Sequence, residues 1–250
     1  MNYQDLHPWK VTPKEAVKIQ VELRERVTFQ DAFSEVKVIA GADVAFDKEE
    51  GCGGVIVYTF PGLQEIERRG VRKKVDFPYI PGLLAFREAP VLLEAFAAIQ
   101  TEPDLILFDG QGIAHFRRMG IATHMGILLN KPTIGCAKSR LMGSYEEPAV
   151  EAGSYSPLID GGQTVGVVLR TRRQVQPIFI SQGNKISLET CIDIVLKCVD
   201  GYRIPKPTRE ADRFVELIKK KPDLIDTGGK REQLPFGFFK KFTKLRGGTL

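Results

Sequence analysis

The chain contains no apolar run that approaches a membrane span, no internal repeat and no low-complexity stretch, although 43% of its 250 residues are hydrophobic. These absences argue against a helical membrane protein and a repeat architecture, and the apolar content suffices for one large α/β domain or two small ones. Cysteine is sparse: Cys52, Cys136, Cys191 and Cys198 are scattered, and none forms a CxxC pair. A zinc site is therefore not expected, and the thiols read as reduced. The opening Met1-Asn-Tyr-Gln-Asp-Leu-His lacks the charged-then-apolar order of a secretion signal, so the expected location is cytoplasmic.

Excess positive charge is confined to one end. The net charge is +5, yet residues 219–250 hold nine Lys or Arg against three acids, which leaves the rest of the chain at −1. The same segment interleaves Phe236, Phe238, Phe239 and Phe242 with its lysines, a pattern suited to nucleic-acid backbone contact with stacking or docking. The expected organisation is a catalytic domain over 1–221 and a basic tail over 222–250. Within the tail, Gln233-Leu234-Pro235-Phe236-Gly237-Phe238-Phe239 resembles the glutamine-leucine-aromatic peptides that dock into sliding clamps. A closing segment whose phenylalanines pack on the chain's own body is an equal alternative.

Periodicity predicts alternating elements. Pro13 to Arg26 reads as an amphipathic helix opened by Thr12-Pro13, and strands follow at about 36–46, 53–60 and 63–76 as an antiparallel meander. Helices are expected over 88–100, 118–130 and 187–198, and strands over 104–109, 132–137, 163–170 and 176–180. A last helix is expected to start near Thr208, with its hydroxyl as the cap. A meander followed by strand-helix-strand units is the order of a ribonuclease-H-like fold: α/β, with a central mixed sheet flanked by helices.

Two acids end apolar runs: Asp43 closes Val36-Lys-Val-Ile-Ala-Gly-Ala-Asp43, and Asp109 closes Asp104-Leu-Ile-Leu-Phe-Asp109. A carboxylate at the end of a buried strand is costly unless something cationic meets it. Glu88 supplies a third, after the stiff turn Pro78-Tyr79-Ile80-Pro81-Gly82. Each taken singly reads as a helix cap or a turn residue. Together with Lys138 at the end of another strand, and with His115, they point to a divalent metal site for phosphodiester hydrolysis. Gly110-Gln111-Gly112 also suggests a dinucleotide fingerprint, but position 115 is His where glycine is required, and Asp109 would repel a pyrophosphate.

The sequence resembles endonuclease V over most of its first 212 residues. The matching blocks are Ala40-Gly41-Ala42-Asp43, Pro78 to Gly82 with Phe86-Arg87-Glu88, Asp109 to Gly112 with Ala114-His115, Gly120 to Gly126, Ala137-Lys138-Ser139, and Pro207-Thr208-Arg209 with Asp212. The resemblance implies a magnesium-dependent nuclease, with Mn2+ as a substitute ion, that recognises deoxyinosine in DNA. It would cleave the second phosphodiester bond 3′ to the lesion and leave a 3′-hydroxyl and a 5′-phosphate. By position, Asp43 and Asp109 would ligate the metal, Glu88 would complete the shell, and Asp212 would stand outside it. Lys138 and His115 would meet phosphate or nucleophile. Pro78, Tyr79, Ile80 and Pro81 would form a strand-separating wedge, and Gly82, Leu84, Gly110, Ile121 and Leu141 the pocket of the flipped base.

Phe116 and Asn184 depart from the family pattern, which usually has proline and histidine there; the aim of His115 and the phosphate contacts are the features at stake. Action on inosine in RNA is the alternative function, and a non-catalytic nucleic-acid-binding protein is a third, against which the intact acidic trio argues.

Overall fold

The computed structural model describes residues 1–222 and 225. Strands β1 (Val38–Asp47), β2 (Glu50–Thr59) and β3 (Glu65–Lys74) form the expected meander, with Asp47 opposite Glu50 across a two-residue turn. The chain then crosses through α2 (Leu84–Ala98) to β4 (Leu105–Phe108), and through α3 (Ile121–Leu129) to β5 (Thr133–Ala137). β6 (Tyr155–Asp160), β7 (Gln163–Leu169) and β8 (Ile178–Asn184) complete one eight-stranded sheet in the order β3-β2-β1-β4-β5-β8-β7-β6. β1, β4 and β5 are mutually parallel and their other neighbours antiparallel, so the sheet is mixed. All four residues of β4, Leu-Ile-Leu-Phe, are buried, the continuous apolar run expected of a strand covered on both faces.

Helices cover both sides. Alternation along β1 sends Ala40, Ala42 and Val44 into a core shared with α2 and α3, and Ile39 into a second core. That second core is shared with α4 (Leu188–Lys197) and α5 (Lys206–Lys220). α5 lies in a groove made by glycines on three adjacent strands. Gly41, Gly54 and Gly70 face Pro207, Phe214 with Val215, and Ile218 in turn, each too closely for a side chain to intervene. The ribonuclease-H-like architecture is thus present, with α1 (Pro13–Leu23) added beside α3.

Four local expectations need correction. α1 ends at Leu23, and residues 24–26 tighten into a 3-10 turn, although its start is as expected: Thr12 and Glu15 form a reciprocal capping box. α2 begins at Leu84, one turn before Glu88, and carries Pro90 inside it. α5 begins at Lys206, and the Thr208 hydroxyl lies within the helix, donating to the Pro205 carbonyl at 3.2 Å instead of capping. β6 was not expected; it is an edge strand containing Pro157, where a missing N–H costs no ladder bond. The tail beyond Pro222, Ile225 excepted, and with it the clamp-like peptide from Gln233 to Phe239, lies outside the described residues.

A pair of histidines joins the amino-terminal segment to α3. His7 Nε2 and His124 Nε2 lie 2.8 Å apart in the interior, ringed by Trp9 and Phe86. Burial, then the charge of a protonated His7, holds His124 down to about 3, and burial also lowers His7. Below pH 6.5 the unfolded chain therefore takes up protons that the folded chain refuses, and the stability contributed by neutral His124 falls with pH until about pH 3. In urea titrations between pH 7 and pH 5, His124→Phe should flatten the dependence of stability on pH by up to about 1.4 kcal/mol per pH unit. Superimposable slopes for the two proteins would show that His124 is not held neutral.

Candidate active site

The ladder between β1 and β4 ends with Ala42 opposite Phe108, so the next residue of each strand, Asp43 and Asp109, emerges beside the other at the carboxyl end of the parallel sheet. Asp109 N–H still reaches the Ala42 carbonyl at 3.3 Å. Asp212 arrives from α5, seated over β1 by the contact of Pro207 with Gly41. Asp43, Asp109 and Asp212, all half-buried, each offer an oxygen within 4.8 Å of the others. Glu88 is not a member of this group among the described residues, but it feels the cluster's charge: burial first, then Asp43 and Asp109, push its carboxyl well above the usual range.

Among the described residues, one cation answers these acids directly. Lys138, just past β5, places Nζ 2.5 Å from Asp109 Oδ2 and 3.2 Å from Asp212 Oδ2. Burial works against its charge, but the two aspartates more than offset this and raise its pKa. Burial and then Asp109 lift Asp43 to about 8, while burial raises Asp109 against the opposing pull of Lys138. Carboxylates so reluctant to ionise are an array short of positive charge. The donor set is all oxygen, half-exposed and clustered at strand ends, which fits a small hard divalent cation that keeps part of its water.

Beside the acids lies a cavity of about 370 Å³, lined by both Asp109 and Lys138. Gly82, Leu84, Gly110, Ile121 and Leu141, the five residues expected to form a base pocket, all line it. Tyr79 and Ile80 stand at its rim. Tyr79 is 71% exposed, held out between Pro78 and Pro81, whereas Ile80 packs back against Phe77 and Phe86. Tyr79 is the most exposed of the large hydrophobic side chains among the described residues.

His115 also lines the cavity, on the side of Gly82. Its Nδ1 accepts from the N–H groups of Arg117 at 3.2 Å and Met119 at 3.4 Å, so the neutral ring carries its proton on Nε2. Burial, then the neighbouring Arg117, lowers it to about 4, so at neutral pH it is a hydrogen-bond donor and not a cation. The backbone N–H groups of Arg117 and Met119 aim His115, and Phe116 simply projects outward, 53% exposed. Asn184 is buried and committed to the interior: its carbonyl accepts from Thr28 N–H and its amide donates to the Gly126 carbonyl, both at 3.1 Å.

The cavity is also lined by Gln20, Met119 and Arg140, which no motif in the sequence marks. Gln20 could have been noticed as the polar member of an otherwise apolar helical stripe, Ala16-Gln20-Leu23.

A mixed sheet covered by helices on both faces, with acids emerging together from neighbouring parallel strands, defines a protein of the ribonuclease-H-like class. Within that class, the endonuclease V family model matches residues 21–213, and the chain belongs to this family. It is therefore an endonuclease that hydrolyses phosphodiester bonds, in a family that depends on metal. Endonuclease V of Nostoc sp. is 52% identical over 211 residues, which cover 83% of this chain and 96% of the relative. The Dehalococcoides mccartyi protein of the same name is 51% identical over 208 residues, covering 82% and 93%. Among solved structures, the Bacillus subtilis enzyme superposes with a TM-score of 0.85 at 34% identity, covering 89% of this chain and 99% of its own. Ciona intestinalis endonuclease V, in complex with a 23-mer DNA containing an inosine followed by a ribo-adenosine, gives 0.75 at 31% identity, covering 85% and 100%. Among the described residues no helix is long and apolar enough to cross a membrane.

Proposed function

We propose that this chain is a magnesium-dependent repair endonuclease that recognises deoxyinosine in DNA and cuts the second phosphodiester bond on its 3′ side, leaving a 3′-hydroxyl and a 5′-phosphate. The observation that carries the reading is the adjacency of the carboxylate cluster to the cavity, with Asp109 and Lys138 belonging to both. An enzyme that cuts near a flipped base needs a pocket for the base and a hydrolytic centre a short step along the backbone. The inosine-containing DNA bound by the Ciona relative agrees with this choice of lesion.

In this reading Asp43, Asp109 and Asp212 would hold the ion, and Glu88 would complete its surroundings from behind them. Magnesium, or manganese in its place, held by these carboxylates would supply charge neutralisation at phosphoryl oxygens and a more acidic water. Lys138 keeps its positive charge between two of the aspartates, where it balances negative charge building on the phosphoryl group. His115, a neutral ring on the cavity wall beside Gly82, would meet phosphate or the nucleophile. Small or backbone-presenting residues, Gly82, Gly110 and Ile121 among them, let main-chain groups approach the edge of the base, while Leu84 and Leu141 close the walls. Tyr79 fills the gap the base leaves behind, repaying part of an unstacking cost of a few kcal/mol. We place the enzyme in the cytoplasm, where its four unpaired, buried cysteines stay reduced.

The deciding experiment offers matched strands carrying one deoxyinosine, one riboinosine or neither, with and without magnesium, and maps the cut. Magnesium-dependent cleavage one nucleotide beyond the 3′ neighbouring bond of deoxyinosine is the expected result. Preference for the riboinosine strand would reassign the enzyme to RNA, and indifference to the lesion would remove the specificity from the proposal. A companion prediction concerns the wedge: Tyr79→Ala should reduce discrimination between inosine-containing and normal duplexes more than it slows cutting of single strands, where there is no stack to fill. Equal losses on both substrates would make Tyr79 a packing residue.

A further inference from the structure

α1 buries one carboxamide where an apolar side chain would be ordinary. Gln20 is fully buried, on the stripe it shares with Ala16 and Leu23, and it reaches out of the helix to two separate walls of the cavity. Its Nε2 donates to the Gly82 carbonyl at 3.1 Å, next to the wedge, and to the Met119 carbonyl at 3.2 Å, just before α3. Its Oε1 accepts from Arg117 Nε at 2.6 Å. Both amide protons are therefore in use, and the oxygen is engaged by a charged donor.

Arg117 closes the arrangement. One terminal nitrogen donates to the same Gly82 carbonyl at 2.5 Å, and among the described residues Arg117 forms no ion pair with a carboxylate. A part-buried guanidinium that spends its donors on an amide and a carbonyl is paid for by what it positions, since leaving it unpartnered would be costly. Gly82 makes the approach feasible: its φ is +80°, and a Cβ there would come within 2.8 Å of the Arg117 terminal nitrogen. With two donors on its oxygen, the Gly82 carbonyl is an anchor of the wall.

We infer that Gln20, braced by Arg117, is a positioning residue that sets the separation of the two cavity walls at Gly82 and Met119 and thereby the selectivity for the flipped base. The inference rests on the reading of this cavity as the base pocket. The family match begins at residue 21, so this helix residue lies just outside it. A single NH2 group bonding both walls fixes their spacing directly, which loop packing alone would do less sharply.

The test compares binding of two single strands, one with deoxyinosine and one with a baseless tetrahydrofuran at the same place, in chelator so that neither is cut. Gln20→Leu keeps the volume and removes every hydrogen bond; Arg117→Met removes the brace from a part-buried position and serves if the first variant folds poorly. Thermal melting establishes that each variant tested is folded. The full-length wild type should prefer the inosine strand, and each folded variant should lose about tenfold in apparent affinity for it while staying within about threefold on the baseless strand. A merely structural role would weaken both strands alike, leaving the ratio at the wild-type value, and that result overturns the inference. A wild type with no preference between the strands overturns the base-pocket reading itself, and the inference with it.

Discussion

Asp43→Ala and Asp109→Ala should each slow cleavage of an inosine-containing strand by about a thousandfold or more, roughly 4 kcal/mol of barrier, while the strand still binds. The loss is large because the two carboxylates emerge from adjacent parallel strands as the most rigidly placed members of the cluster, and neither Asp212 nor Glu88 can slide along a helix to replace them. Binding survives because base and phosphate contacts lie along the cavity and its rim. Stability provides the control. Asp43 is lifted to about 8 by burial and then by Asp109, so removing it relieves a cost at neutral pH, and the variant should melt no lower than the wild type in the absence of metal. Single-turnover assays paired with thermal melts decide the matter. Near-normal magnesium-dependent turnover in either variant would rule out the metal assignment.

Gly41→Ala should be a damaging change although it removes no polar group. An added Cβ would lie 2.1 Å from the Pro207 carbonyl oxygen and 2.3 Å from its carbon, and both are backbone, so no side chain can swing aside. α5 must lift, at a cost of about 1–3 kcal/mol for overpacking. Phe214 against Gly54 and Ile218 against Gly70 hold the second half of the helix, so the displacement concentrates in its first turns and tilts Asp212, the seventh of its fifteen residues, out of the cluster. Activity should therefore fall by about as much as in Asp212→Ala, but only the glycine variant should also lose stability. Equal melting temperatures for Gly41→Ala and the wild type would show that the helix does not depend on this contact.

The same geometry explains what could be read from the sequence and what could not. Asp43 and Asp109 were legible because each interrupts an apolar strand, a local signal whose cost is obvious. The meander and the strand-helix-strand order followed from periodicity. Asp212 could be listed by family position, but its place within 4.8 Å of the other two aspartates depends on how α5 docks into a groove of glycines from three strands, a tertiary fact with no local trace. The resemblance places it outside the metal shell, whereas we propose it as a ligand because it joins Asp43 and Asp109 in one cluster. β6 escaped because an edge strand containing proline has a weak alternating pattern. The start of α2 escaped because Pro90 reads as a first-turn residue, whereas it sits inside the helix. Gln20 was hidden by being polar in an apolar stripe, where its only reason to exist lies on distant loops.

The sheet ends in β3 on one side and β6 on the other. β3 carries Glu65, Glu67, Arg68, Arg69, Arg72, Lys73 and Lys74 along its ten residues, and β6 presents Pro157. Neither border is a template onto which a foreign strand could anneal, because charge and a missing donor frustrate further pairing. Copies crowded together on one stretch of nucleic acid can therefore collide repeatedly without zipping into a common sheet, and each remains free to leave and search again.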